Sequence, residues 1–94
     1  MRKLAAVVDV SNVTNIRQAH QSLSKMLGFP ASYGTNWDAF WDAITGLVEM
    51  PERLQFIGWA AFEKRFPEDA EILRRLLAQM FDMYPNDAAH VEYL

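Results

Sequence analysis

Lys3–Leu27 reads KLAAVVDVSNVTNIRQAHQSLSKML, and its two halves follow different periods. Lys3–Val10 is a short run of β-branched and small apolar residues that stops at the turn-forming pair Ser11-Asn12, which predicts a buried strand. Thr14 or Asn15 supplies a side-chain oxygen that can cap a helix. Ile16, His20, Leu23 and Leu27 then recur at helical spacing, an amphipathic helix of about three turns. Gly28 can close that helix in the left-handed conformation, and Pro30 stops it from continuing. A strand that feeds directly into a helix is the first half of a crossover unit.

The same alternation recurs downstream. Asn36 is a good cap for a second helix, running from Trp37 to about Gly46, and Met50-Pro51 breaks the chain after it. Arg53–Ile57 alternates as a second strand. Gly58–Phe66 is a short helical segment whose Trp59, Phe62 and Phe66 are expected to pack it onto the sheet. Pro67 suits the first turn of a further helix, and Glu68, Asp69 and Glu71 favour its positive end. Leu73, Leu76, Leu77, Met80 and Phe81 form its apolar face. Tyr84-Pro85-Asn86-Asp87 reads as a turn, and His90–Leu94 as a third, terminal strand. Helices between strands predict an α/β fold: a small three-stranded parallel sheet, right-handed crossovers and about four covering helices. Without a repeat, linker or low-complexity tract, residues 1–94 are expected to form one domain.

Composition excludes several classes of function. The 94 residues contain no cysteine, which removes disulfides, thiol nucleophiles and thiolate-bound metals. No apolar run approaches the roughly 20 residues of a membrane span. Arg2 and Lys3 precede an apolar run that Asp9 ends too early for a secretory signal, so a cytoplasmic protein is expected. The net charge of −3 offers no basic face for nucleic acid. Between Met26 and Glu52 there is no Lys or Arg, whereas Asp38, Asp42, Glu49 and Glu52 all fall in that window. Such a local anion repels phosphate backbones and attracts basic proteins.

Wound at 100° per residue, the second helix places Trp37, Phe40, Ile44, Leu47 and Val48 on one broad core arc. Asp38, Asp42 and Thr45 share a narrow stripe opposite, with Trp41 at the border. Asp38 gains about 0.3–1 kcal/mol from the helix dipole in the first turn. Asp42 stands four residues later, where like charges cost about 0.2–0.5 kcal/mol, and no base lies three or four residues away to offset it. A solvated polar face explains this stripe, and so does a negative prong awaiting a cation on a partner. Tyr33-Gly34-Thr35-Asn36 sets an aromatic hydroxyl and a pliant backbone beside it, although Tyr33 serves equally as a cover for the edge of the core.

Catalysis has weaker support. His20 lies on the apolar stripe of its helix and reads as a satisfied core histidine, while His90 sits in the terminal strand. The two are far apart without a metal-ligand spacing, and no phosphate loop or activated nucleophile accompanies Asp38 and Asp42. Neither an enzyme, a metal nor a cofactor is expected.

The run Tyr33-Gly34-x-Asn36-x-Asp38-Ala39-x-Trp41-Asp42-x-x-Thr45-Gly46-x-Val48-Glu49 resembles the barstar family, intracellular inhibitors of the secreted bacterial ribonuclease barnase. His20-Gln21, Leu23, Pro30, Pro51 and Ala70-Glu71 extend the resemblance over essentially the whole chain. It implies a three-stranded parallel sheet with helices, and a one-to-one complex in which the second helix and the preceding loop plug the ribonuclease active site. Asp42 would then stand where an RNA phosphate sits, bonded to catalytic arginines and a histidine, and Asp38 would pair with another enzyme base. The implied contact set is Ser32, Tyr33, Gly34, Asn36, Trp37, Asp38, Trp41, Asp42, Thr45, Gly46, Leu47 and Gln79. Three of these depart from the family pattern, which has tyrosine at Ser32, tryptophan at Leu47 and glutamate at Gln79. A shifted target preference follows, and an immunity protein against a different nuclease or toxin is the alternative. A housekeeping module that kept the fold but lost inhibition is opposed by the retained Asp42. The resemblance also implies a cis Met50–Pro51 bond.

Overall fold

The computed structural model describes residues 2–94. Its elements are β1 (Ala5–Asp9), α1 (Ile16–Leu27), α2 (Trp37–Asp42), β2 (Arg53–Ile57), α3 (Trp59–Arg65), α4 (Pro67–Met83) and β3 (His90–Tyr93). α2 continues without a break into a π-helical turn over Ala43–Leu47. The strands form one parallel sheet in the order β1-β2-β3, with Val7 opposite Gln55 and Gln55 opposite Glu92. This is the three-stranded parallel α/β architecture expected from the alternation of periods.

Local chemistry sets the helix ends. Asn15 Oδ1 accepts from the Gln18 amide at 3.0 Å, and Gln18 Oε1 accepts from the Thr14 amide at 2.8 Å, so Asn15 is the cap of α1. Gly28, at φ 74°, closes the helix by donating to Ser24 O at 2.9 Å. Gly58 also has φ 74°, and a Cβ there would stand 2.3 Å from Ser11 Cβ. Only glycine allows the end of β2 to pass so close to the loop after β1.

β1 is not buried on both faces. Ala6 and Val8 face the core, while Ala5, Val7 and Asp9 are exposed, and β2 repeats the pattern with Leu54 and Phe56 inward. Right-handed crossovers that advance in one direction across a sheet put every helix on the same side, and the other side stays open. The open face carries the Arg53–Glu92 ion pair between adjacent strands. On the covered side Phe56, Trp59, Phe62 and Tyr93 form an aromatic cluster, with Phe56 stacked on Tyr93 at 5.7 Å, as expected for a short helix packed on the sheet. The apolar face of α4 holds Ala70, Leu73, Leu77 and Met80 in the core, but Phe81 is partly exposed and lies edge-on to His90 at 5.1 Å.

Two expectations fail after α2. Leu47, assigned to the core arc, is 62% exposed. The amide of Val48 bonds Ala43 O at 3.1 Å across five residues, and the wider turn winds less per residue, so the 100° wheel loses phase there and Leu47 emerges. No peptide bond among the described residues is cis, so Met50–Pro51 is trans. In the trans form both carbonyls of that pair turn to the Arg2 guanidinium, at 2.8 Å for Met50 O and 3.0 Å for Pro51 O.

Candidate functional site

The acidic stripe begins at a loop held from both ends. Asn36 caps α2 by accepting from the Ala39 amide at 2.7 Å, and its Nδ2 donates to Gly34 O at 3.0 Å. The Tyr33 hydroxyl shares a 2.7 Å hydrogen bond with Nδ1 of His20, a side chain that is 1% exposed. The Tyr33 ring packs on Phe29 at 4.8 Å, and burial pushes its hydroxyl above the ordinary tyrosine range. Tyr33 therefore covers the core edge with a committed hydroxyl, and His20 is the satisfied core histidine expected from the stripe. Burial lowers the His20 pKa, partly opposed by the negative charge of Asp69. Thr35, between these anchors, sits at φ 44°, a left-handed conformation that a β-branched residue adopts only under constraint.

α2 projects from this loop with its indoles turned to α4. Trp37 Nε1 donates to Asp69 Oδ1 at 2.9 Å, and its ring lies 4.3 Å from that of His20. Trp37 is thus half-buried structure as much as surface. Asp38 and Asp42 are exposed. Among the described residues neither carboxylate takes part in a hydrogen bond or an ion pair. Thr45 does not add a donor to the stripe, because its hydroxyl donates to Trp41 O at 2.6 Å within the helix. Glu49 falls outside the stripe, since Val48 is already extended.

The expected contact residues separate into three groups. Ser32, Gly34 and Asn36 are exposed on the loop around half-buried Tyr33. Trp37, Asp38, Trp41, Asp42 and Gln79 line one groove of about 560 Å³ between α2 and α4. Thr45, Gly46 and Leu47 border a second hollow of about 350 Å³ that also involves Arg2 and Asp87. Sequence reasoning missed Thr35, whose strain is not written in its identity. It also missed Arg75, which α4 delivers to the same groove as Asp38 and Asp42 from outside the base-free window. Helical spacing from Gln79 could have found Arg75, one turn away on α4.

Among the described residues, no three of His, Cys, Asp or Glu gather to hold a metal ion. No helix among them is long and apolar enough to cross a membrane. What the arrangement offers is two unpartnered carboxylates on a helix capped by Asn36, next to two indoles.

Comparison with known proteins agrees with this architecture. The family model described as barstar, barnase inhibitor, matches residues 4–92. The chain belongs to the barstar family. Among curated proteins it is similar to "Putative ribonuclease inhibitor YrdF" of Bacillus subtilis (strain 168), with 43% identity over 51 residues. That alignment covers 54% of this chain and 54% of the relative, so the match spans about half the length of each.

Proposed function

We propose that this protein is an intracellular, non-enzymatic inhibitor of a barnase-type secreted ribonuclease, and that it blocks the active site one to one with α2 and the loop before it. The observation that carries this role is the pair of unpartnered carboxylates, Asp38 and Asp42, one turn apart on an exposed helix whose start is pinned by Asn36 and by the His20–Tyr33 bond. A ribonuclease active site is basic because it binds phosphate. A carboxylate presented there accepts charge-assisted, bidentate hydrogen bonds from arginine, as phosphate does. Asp42 takes the phosphate position and Asp38 pairs with a neighbouring base. The negative face also steers encounter with a basic enzyme. Family membership and the ribonuclease-inhibitor name of the relative support the same role.

The test is a titration into a barnase-type ribonuclease, with cleavage of a fluorogenic RNA as the readout. Stoichiometric inhibition is expected, lost in Asp42→Ala, with association that slows as salt is added. Binding that ignores salt would sink the acidic helix as the docking face.

A second role is favoured by Ser32, Leu47 and Gln79, three exposed residues where the family pattern has others. In it, the same face blocks a different nuclease or toxin. Inhibition of a toxin encoded beside this protein, without inhibition of barnase-type ribonucleases, would select that role.

A further inference from the structure

The groove between α2 and α4 is not uniformly acidic. Its α2 wall carries Asp38 and Asp42, and its α4 wall carries Arg75 and Gln79, with Trp37, Trp41, Ile72 and Leu76 completing the lining. α4 contributes no carboxylate to it. Arg75 is exposed, and among the described residues it forms no ion pair with either aspartate and no hydrogen bond. The groove is therefore zwitterionic with its charges held apart, although the charged residues of the base-free window are all acidic.

Docking an enzyme onto α2 covers this groove and removes water from both walls. Asp38 and Asp42 are then satisfied by the enzyme's bases. Arg75 has no such partner in the monomer, and a guanidinium buried without an acceptor is strongly unfavourable. A second lysine or arginine of the enzyme placed on the α4 side would add like-charge repulsion. We infer that Arg75 determines which ribonuclease this face accepts: the cognate enzyme presents an acidic side chain to the α4 wall of the groove, beside the bases that engage Asp42. Guanidinium geometry suits this, because its planar fork grips a carboxylate bidentately. The inference rests on the inhibitor role proposed above and names the chemistry of the partner at one further point.

Charge reversal separates this role from simple steering. Arg75→Glu makes the protein more negative by two charges, so steering by itself predicts faster association and tighter inhibition of a basic enzyme. A selecting role predicts the opposite. Wild type, Arg75→Glu, Arg75→Gln, Asp42→Ala and Arg17→Glu are titrated into a barnase-type ribonuclease, with the inhibition constant and both rate constants read. Arg17 lies on α1 outside the groove, so Arg17→Glu reports the same charge change without the contact. The expected result is inhibition at least about 10-fold weaker in Arg75→Glu, through faster dissociation. Arg75→Gln should be intermediate and Arg17→Glu equal to wild type or slightly tighter, with all melting temperatures close to wild type. Replacing each exposed Asp or Glu of the enzyme by its amide should then reveal one position whose effect vanishes in the Arg75→Gln background. Unchanged or tighter inhibition by Arg75→Glu, or no enzyme carboxylate coupled to Arg75, overturns the selecting role and leaves the inhibitor role standing. Full inhibition by Asp42→Ala, or none by wild type, overturns the inhibitor role itself.

Discussion

Arg2 and Asp42 are both charged, and the structure treats them in opposite ways. Arg2 donates to five backbone carbonyls, those of Met50, Pro51, Asn86, Asp87 and Ala88, at 2.8–3.3 Å. It gathers the approaches to β2 and β3 into one seam, and every bond is made within the chain. Asp42 makes no such bond among the described residues, and its neighbour Asp38 makes none either. The first region uses its charge to hold the fold. The second keeps its charge available, on a helix that other residues have made rigid. Asp42, one turn beyond the dipole-favoured first turn, makes no bond that would explain its charge by the fold, which supports the docking role proposed for it.

That contrast can be broken from either side. The largest effect is expected from Asp42→Ala. Truncating one member of a buried, hydrogen-bonded charge pair typically costs about 2–5 kcal/mol of affinity, read as loss of ribonuclease inhibition. Its melting temperature should stay equal or rise, because the repulsion with Asp38 is relieved. A lower melting temperature with unchanged inhibition would place Asp42 among the structural residues and erase the contrast.

Arg2→Ala should behave as the mirror image. It leaves several carbonyls without a donor, and about 2–3 kcal/mol of folding stability should be lost in urea denaturation. Inhibition measured well below the melting temperature should barely change. Arg2→Lys should recover part of the loss, since a point charge cannot reach all five acceptors.

Thr35→Gly tests the strain in the loop before α2. Relief of the left-handed threonine outweighs the entropic cost of glycine, so stability should rise by roughly 0.5–1 kcal/mol. Inhibition should weaken slightly as the loop loosens. A stability loss would mean that the threonine conformation is not under strain.

The smallest effect concerns His20. Its folded pKa lies below the unfolded value, so the two states bind protons equally only well above the unfolded value. As pH falls through the unfolded value of 6.5, the unfolded chain takes up a proton that the native state resists, and stability declines until the folded pKa is passed. His20→Gln should flatten the melting temperature over that interval. A wild-type curve already flat there would remove His20 as the cause.

Much of the fold was legible along the chain. Asn15, Gly28 and Asn36 act within four residues of their own positions, and the caps and boundaries they predict match the structure. The acidic stripe was legible for the same reason, since Asp38 and Asp42 precede any departure from the 100° wheel. Leu47 was misplaced because the π turn begins at Ala43, and a wheel cannot report a change of pitch. Tyr33 stayed ambiguous until its hydroxyl was found on His20, an element away.

By itself, then, the sequence determined the kinds of element, their order, the parallel sheet they imply and the negative helix. These follow from periodicity and capping, interactions that span a few residues. Tertiary structure decided that all helices share one face of the sheet, that Leu47 emerges, that Arg2 joins segments more than 80 residues apart, and that Arg75 stands across the groove from Asp42. Each of these is a meeting of distant segments. Its geometry depends on crossover handedness, helix pitch and packing together, which no local window of residues contains.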